Sequence, residues 1–393
     1  MSIRARLIQR APEEIETELN QMEVDSRGAK IMVPKGHHLL IKIDRISPRA
    51  AIILKQEALA LGAEAALPRE TINRNEGTVT ALLMGTEKQL RSLKKVLAIQ
   101  PFGLAALGEQ LEQIINNTRK KKTHALKLGK HTFPLGARTL IMGILNVTPD
   151  SFSDGGRYHT LDTAVQQAHA LVEEGADIVD IGGESTRPGA VPISRDEELS
   201  RLMPVLEALL DEITVPVSVD TYKSSVAEEA LKKGAHMIND VWAFRADPEM
   251  ADVVARHNVP VCLMHNREVA EYQDLMGEII DELQESVSMA LDAGISKDQI
   301  ILDPGIGFGK NTEHNLEVMH RLEEFKGLGY PLLLGTSRKS LIGNVLQLPK
   351  DDRVEGTAAT VSYGITRGAE IVRVHDVKPI KRIADMTDAM VRR

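Results

Sequence analysis

The sequence predicts a (β/α)8 TIM barrel preceded by a small α/β domain, and three observations lead to this fold class. After residue 137, eight short apolar runs alternate with amphipathic segments, which is the pattern of a parallel sheet with crossover helices. The eight repeats fill about the 250 residues that such a barrel needs. Their even spacing favours closure into a barrel, with a doubly wound open sheet as the alternative.

Each predicted strand is a short run of mostly apolar residues. The runs are TLIMGIL, ADIVDIG, VPVSVD, MIND, VPVCLM, IILD, PLLLG and EIVRV. The helical segments that follow them begin at Leu161, Asp196, Lys223, Asp247, Tyr272, Thr312, Asp352 and Lys378. Strand and helix therefore alternate throughout residues 137–393, which we predict to be the barrel domain.

The residues before the barrel predict a smaller α/β domain over residues 1–117. Strand patterns occur at 37–43 and 78–85, and helical spacing occurs at 48–61 and 104–117. Residues 118–136 contain a cluster of bases followed by Pro and Gly, and we predict a solvated linker there, with a phosphate-binding patch as the alternative. No catalytic constellation is visible in residues 1–117, so the role of this domain stays open.

Composition restricts the class of protein. A net charge of -8 and an aromatic content of 3% give no indication of a nucleic-acid partner. The single cysteine, Cys262, lies in an apolar run and is interpreted as a core residue. The N-terminal segment lacks the apolar stretch of a signal peptide, and no run reaches the roughly 20 apolar residues of a membrane span. We therefore expect a cytoplasmic protein without membrane or nucleic-acid partners.

Polar side chains follow every predicted strand, at the end where barrels place their chemistry. Each has an ordinary explanation: Asp220 and Asp303 could be helix N-caps, Arg373 could pair with Asp376, and His375 could be a satisfied rim histidine. A solvated rim does not need a polar group at the mouth of all eight strands, so we interpret the set as a site. Its members are Asn146, Thr186, Arg187, Asp220, Asn239, Asp240, Met264, His265, Asp303, Ser337, Lys339, Arg373 and His375.

The central members of this set predict a binding site for a flat heterocycle. Asp220, Asp303 and Asn239 offer hydrogen-bond acceptors to a donor-rich ring, and the Asn239 amide can also donate. Lys339 can meet a carbonyl oxygen or a ring nitrogen. The substrate class is therefore a small heterocyclic molecule.

Other members predict that this heterocycle carries a phosphate or diphosphate ester. Arg373 and His375 lie on the last strand, where barrels often bind phosphate groups. Asn146 and Asp154 supply oxygen ligands of the kind that Mg²⁺ prefers, with water and substrate phosphate completing the coordination. We therefore expect Mg²⁺ as a cofactor.

The segment GIGFGKNT at residues 305–312 superficially matches two phosphate-binding motifs. Pro304 occupies the first glycine position of a P-loop and Asn311 its Ser/Thr position, while Lys310 breaks the dinucleotide-binding pattern. We predict a tight active-site loop here.

Eight motifs occur in order along the predicted barrel: MGILNVTPDSFSDGG, GGESTRPGA, VSVDTYKSSV, MINDV, LDPGIGFGK, GTSRKSLIG, EGTAA and VRVHD. Together they resemble the dihydropteroate synthase family of pterin-binding barrels. The resemblance implies condensation of 6-hydroxymethyl-7,8-dihydropterin diphosphate with 4-aminobenzoate to 7,8-dihydropteroate and pyrophosphate, in tetrahydrofolate biosynthesis. It also implies a homodimer. Residues 1–135 have no counterpart in the minimal enzyme.

The resemblance implies a role for individual residues. The residues expected to be catalytic are Asp220, Lys339, Arg373 and His375. Those expected to hold the pterin are Asp220, Asn239, Met264, Asp303 and Lys339, and Phe308 is counted with the substrate-binding residues. The diphosphate would contact Thr186, Arg373 and His375. The aminobenzoate pocket would be shaped by Phe152, Arg187, Pro188 and Ser337. Asn146 would bind Mg²⁺.

Two other functions stay open. A methyltetrahydrofolate-dependent methyltransferase would share the barrel and the pterin-binding Asp and Asn, but it would not need a diphosphate site. A non-enzymatic scaffold would not need an intact polar rim. The segment MHNRE at 264–268 departs from the usual family form, which has Gly after Arg, and leaves the loop after the fifth strand less defined.

Overall fold

The computed structural model describes residues 3–119, 124–147, 157–185 and 190–392. The chain divides into two compact units, an N-terminal one ending at Lys121 that also takes in 327–329, and a C-terminal one with the remaining residues. Across the described residues, no helix combines the length and apolar character needed to cross a membrane.

The N-terminal unit is a small α/β domain. Its elements are α1 (Pro12–Gln21), α2 (Ser26–Gly36), β1 (His38–Ile46), α3 (Pro48–Ala60), β2 (Glu64–Ala66), β3 (Val79–Thr86), α4 (Glu87–Leu97) and α5 (Leu104–Thr118). The strands form an antiparallel sheet in the order β1-β3-β2. Alternate residues such as Ile41, Ile43 and Leu83 are buried, so one face of the sheet packs into the core with the helices. The predicted α/β character of this region is confirmed.

The C-terminal unit contains a hairpin and an eight-stranded parallel barrel. The hairpin strands are β4 (His124–Leu128) and β5 (His131–Leu135). The barrel strands are β6 (Leu140–Asn146), β7 (Ile178–Gly182), β8 (Val217–Asp220), β9 (Met237–Asp240), β10 (Val261–Met264), β11 (Ile300–Asp303), β12 (Leu333–Leu334) and β13 (Ile371–Val374). They hydrogen-bond in the order β11-β10-β9-β8-β7-β6-β13-β12, and a parallel bridge between Leu302 and Leu332 joins the two ends. The predicted barrel is therefore confirmed, and the open sheet is excluded.

Helices follow the barrel strands and leave their carboxyl ends together on one rim. They are α6 (Arg157–Glu173), α7 (Arg195–Glu212), α8 (Ser224–Lys233), α9 (Glu249–His257), α10 (Leu275–Asp292), α11 (Thr312–His320), α12 (Ser340–Leu346), α13 (Val354–Arg367) and α14 (Val377–Val391). The short helix α12 was not expected, and it places Lys339 immediately before its first turn.

The segment predicted as a solvated linker contains the β4–β5 hairpin, so that prediction is wrong for residues 124–135. Leu126, Leu128 and Leu135 are at most 2% exposed. They share a hydrophobic core with barrel residues such as Leu140 and Ile178, at or near the amino ends of β6 and β7. The hairpin therefore closes the end of the barrel opposite the polar rim.

Replacing Leu126 with alanine is expected to destabilise the protein by about 2–5 kcal/mol, because it removes a fully buried leucine from this closure. Urea unfolding followed by circular dichroism measures the change. Lys127→Ala is the matched control, since Lys127 is the exposed neighbour on the same strand. Equal midpoints for the two variants would contradict the closing role of the hairpin.

Candidate active site

A buried cluster of charged side chains lies inside the barrel near the polar rim. The Arg373 guanidinium donates through Nε to Asp180 Oδ2 at 2.6 Å and through Nη2 to Asp220 Oδ2 at 2.6 Å. Asn239 Nδ2 donates to the same Asp180 oxygen at 3.2 Å. Arg373 therefore does not form the ion pair with Asp376 that was considered from sequence; Asp376 accepts instead from Arg338.

Asp220 and Asp303 are buried carboxyl groups at strand ends, and neither caps a helix. The residue before α8 is Lys223, and the cap of α11 is Asn311, which accepts from the backbone N–H of His314 at 2.8 Å. Burial raises the pKa of Asp220 to about 7, although the nearby Arg373 lowers it. Burial likewise raises the pKa of Asp303 to about 6.

The Asp303 carboxylate has a backbone donor beside it. Gly305 N–H donates to Asp303 Oδ1 at 2.7 Å, which lowers the pKa of that carboxyl against the effect of burial. The positive charge of Lys339 also lowers the pKa of both Asp220 and Asp303. The two carboxyl groups thus share Lys339 and Arg373 as cationic neighbours.

An apolar wall lies beside these polar groups. Val241, Met264 and Phe308 form a small buried cluster, with Tyr222 and Trp242 packed against it. The Lys339 ammonium lies 3.8 Å from the centre of the Phe308 ring, a cation–π contact. The structure thus brings Met264, Phe308 and Lys339 together, as a site for a flat ring requires.

Ser337 and His375 form a hydrogen-bonded pair in the segments that follow the neighbouring strands β12 and β13. The backbone N–H of His375 donates to Ser337 Oγ at 3.1 Å, and the same Oγ lies 3.0 Å from His375 Nδ1. A hydroxyl at this distance can donate to a bare Nδ1, and in that arrangement the ring proton lies on Nε2.

The predicted metal ligands are only partly within the described residues. Asn146 ends strand β6 and is half-buried. Residues Phe152, Asp154, Thr186, Arg187 and Pro188 lie outside the described residues. In the described ranges, no group of three or more His, Cys, Asp or Glu side chains could hold a metal ion. One amide oxygen from Asn146 fits a Mg²⁺ ion that takes its other ligands from water and substrate phosphate.

Asp180 lies in the middle of β7, so its position does not mark it as a residue at a strand end. Its side chain is fully buried and binds both Arg373 and Asn239. A signal was present, because an acidic residue inside the run IVDIG is costly to bury without a partner. Asp240, by contrast, holds the turn after β9, accepting from the N–H groups of Trp242 at 2.8 Å and Phe244 at 2.7 Å.

Comparisons with known proteins agree with this geometry. Residues 142–375 match the family described as pterin binding enzyme. Dihydropteroate synthase of Bacillus subtilis is 59% identical over 254 residues, covering 65% of this chain and 89% of that protein. A probable bifunctional folylpolyglutamate synthase/dihydropteroate synthase of Halobacterium salinarum is 41% identical over 368 residues, covering 91% of this chain and 44% of that protein, and so extends beyond the barrel.

Solved structures agree as well. The Clostridium difficile dihydropteroate synthase, determined in the presence of pteroic acid, is 54% identical and covers 66% of this chain and 100% of that one, with a TM-score of 0.66. The Xanthomonas albilineans dihydropteroate synthase, in complex with 7,8-dihydropteroate, is 41% identical over 68% of this chain and 98% of that one, with a TM-score of 0.63. The chain belongs to the dihydropteroate synthase family of pterin-binding enzymes.

Proposed function

We propose that this barrel condenses 6-hydroxymethyl-7,8-dihydropterin diphosphate with 4-aminobenzoate, giving 7,8-dihydropteroate and pyrophosphate. The observation that carries the proposal is the buried cluster of Asp180, Asp220, Asn239 and Arg373, which offers ring acceptors and a cation within one network. The high identity to dihydropteroate synthases along the barrel supports the same reaction.

The ring of the substrate would bind among Asp220, Asn239, Asp303 and Lys339. The two carboxylates would accept from the amino and ring N–H groups of the pterin, and Lys339 would donate to its carbonyl oxygen or ring nitrogen. Met264 and Phe308 would cover the faces of the ring. Arg373, which donates to Asp220, would also provide positive charge to the incoming diphosphate.

The diphosphate would contact Arg373, which supplies positive charge, and would accept hydrogen bonds from His375 and Thr186. Asn146 would hold Mg²⁺, which when bound would supply positive charge to the departing diphosphate oxygens. His375 would donate from Nε2–H, because Ser337 occupies its Nδ1.

The chemistry that these residues perform is chiefly positioning and charge stabilisation. The bond between the pterin methylene carbon and the diphosphate oxygen breaks, and the aminobenzoate nitrogen forms a new bond to that carbon and then releases a proton. Arg373 and His375 would stabilise the diphosphate, while Asp220 would stabilise the cationic pterin. The aromatic amine is neutral at pH 7, so no strong general base is required. Ser337, with Phe152, Arg187 and Pro188, would shape the aminobenzoate pocket.

Incubating the purified protein with the pterin diphosphate, 4-aminobenzoate and Mg²⁺ tests the proposal. We expect equal amounts of pyrophosphate and dihydropteroate, with loss of product when EDTA removes Mg²⁺. No product at saturating substrates, together with methyl transfer from methyltetrahydrofolate, would replace this function by the methyltransferase alternative.

Ser337→Ala is expected to lower kcat by about fivefold, since it removes one neutral hydrogen bond worth roughly 1 kcal/mol that selects the His375 tautomer. Steady-state kinetics on both substrates measure the effect. Ser288→Ala is the control, because Ser288 is exposed and its hydroxyl bonds only within helix α10. A variant with unchanged kcat would show that the tautomer of His375 does not matter.

We also propose that the enzyme works as a cytoplasmic homodimer. The single cysteine, which is buried, supports a reducing compartment, because nothing in the chain depends on an intrachain disulfide. The dimer rests on the family resemblance. Light scattering after gel filtration tests it, with twice 43.2 kDa as the expected mass and 43.2 kDa as the contrary result.

A further inference from the structure

The loop at residues 305–310 is folded around the side-chain nitrogen of Lys310. Lys310 Nζ donates to the carbonyl oxygens of Gly305 and Phe308, each at 3.1 Å, and lies 2.8 Å from His265 Nδ1. These three partners match the three donors of an ammonium group. The lysine that gives this segment its likeness to a P-loop therefore points into its own loop.

His265 is suited to accept from Lys310. It is 1% exposed, and burial lowers its pKa to about 4, so the imidazole is neutral at pH 7. The Lys310 ammonium can only donate to Nδ1, so the ring proton lies on Nε2, which is 3.3 Å from Glu282 Oε2. Glu282 is held in turn by Arg267, whose Nε donates to it at 2.7 Å.

The backbone of this loop packs directly on the segment after β10. Gly305 has a φ of +69°, and a Cβ there would lie 1.8 Å from the His265 carbonyl oxygen. Gly309 has a φ of +53°, and a Cβ there would lie 2.6 Å from the Arg267 backbone nitrogen. Only glycine fits both positions, so the loop has one close-fitting arrangement against its neighbour.

This loop also carries two parts of the candidate active site. Gly305 N–H binds the Asp303 carboxylate, and the Phe308 ring lies under the Lys339 ammonium. The two carbonyl groups that Lys310 binds belong to these same two residues. Movement of the Lys310 side chain would therefore shift both parts together.

We propose that Lys310 is a positioning residue for the pterin: by tying Gly305 and Phe308 to His265, it fixes the Asp303 carboxylate and the Phe308 ring where the pterin binds. The inference rests on the proposed function, because it assigns the ring to this pocket. Lys310 acts through the loop and does not itself touch the substrate.

The charges around Lys310 are consistent with a side chain that holds the loop by hydrogen bonds. Burial lowers the pKa of Lys310 to about 7, while Asp303 and Glu282 raise it and Arg267 and Lys339 lower it. The neutral amine still has two N–H donors, so the two carbonyl contacts can persist when the charge is lost.

Lys310→Met tests the proposal, because methionine has a similar length and no donor. The fluorescence of Trp242, the single tryptophan, reports binding of 6-hydroxymethylpterin without turnover, since this residue packs against the Met264 and Phe308 cluster. We expect Kd for this pterin and KM for the pterin diphosphate to rise about tenfold, with KM for 4-aminobenzoate at saturating pterin changing less than about twofold. Lys232→Met is the matched control, because Lys232 is exposed on α8 and pairs with Glu229.

A general loss of structure would move both KM values and the urea midpoint together, and that outcome overturns the proposal, as does an unchanged pterin Kd. If Lys310→Met does not fold, His265→Leu decides, since it removes one acceptor: a Kd rise of about threefold supports the proposal and no rise overturns it. If Lys310→Met and His265→Leu both fold, the double variant should bind 6-hydroxymethylpterin no more weakly than Lys310→Met alone. Wild-type protein that binds the pterin without turnover would contradict the proposed function and leave this test intact.

Discussion

Replacing Arg373 with methionine is expected to lower kcat/KM for the pterin diphosphate by about 10³-fold, the effect of removing a preorganised charge from a reaction that releases an anion. Arg373 is the one side chain that contacts both Asp180 and Asp220 among the hydrogen bonds of the described residues. Without it, Asp180 stays buried with Asn239 as its remaining donor. Steady-state kinetics and urea unfolding measured together separate the loss of catalysis from the loss of stability.

The same replacement is expected to cost about 3–5 kcal/mol of folding free energy, because it leaves buried carboxylates uncompensated. Arg373→Lys keeps a charge but cannot span two carboxylates with a rigid fork, so it should be intermediate in both measurements. Arg367→Met is the control, since Arg367 lies near the surface and pairs with Glu323 at 2.7 Å. An Arg373→Lys variant as active as the wild type would show that the fork geometry is dispensable.

Much of the barrel could be predicted because its pattern is repetitive. Strands such as β8 and β11 are short, fully buried runs, and each ends in an aspartate that marks the carboxyl end. Parallel strands bring those ends to one rim, so Asp220 and Asp303 could be assigned to a common site from sequence. The structure places them there, with Lys339 and Arg373 as shared cationic neighbours.

Features that depend on contacts between distant segments could not be predicted in this way. The alternation HALKL in β4 is only five residues long and includes a lysine, so it was interpreted as part of a linker, although Leu126 and Leu128 are buried against the barrel. Asp180 lies inside a strand, so the rule that chemistry follows strand ends does not identify it. The partner of Lys310 is 45 positions away, and no local pattern connects it to His265.

These misses have a common physical origin. A buried charge is tolerated only when partners satisfy it, and the partners of Asp180 come from β9 and β13, far apart in the chain. The sequence shows that a charged group lies in an apolar run, but only the folded structure shows which distant residues form hydrogen bonds to it. An acidic or basic residue within an apolar run is therefore a useful first indication of an internal network.

Asp220→Asn is expected to reduce kcat/KM for the pterin diphosphate by about 10³- to 10⁴-fold, the penalty for a mismatch in a buried hydrogen-bonding site. The carboxylate would accept two N–H groups, whereas the amide presents an NH₂ donor to one of them. The variant keeps the size of the side chain, so the fold should persist, and a titration with 6-hydroxymethylpterin should show the loss in binding. Wild-type kcat/KM in this variant would remove Asp220 from the pterin site.

The pH dependence of the same reaction gives an independent check on Asp220. Burial raises the pKa of its carboxyl to about 7 in the free protein, so the accepting carboxylate is lost as the pH falls below 7, and kcat/KM should fall with it by about tenfold per pH unit. In Asp220→Asn the remaining acidic limb should move toward about 6, the pKa to which burial raises Asp303. A limb that stays near 7 in the variant would assign that titration to another group. If the acidic limb near pH 7 is absent from the Asp220→Asn profile, ionised Asp220 is the form that binds the pterin.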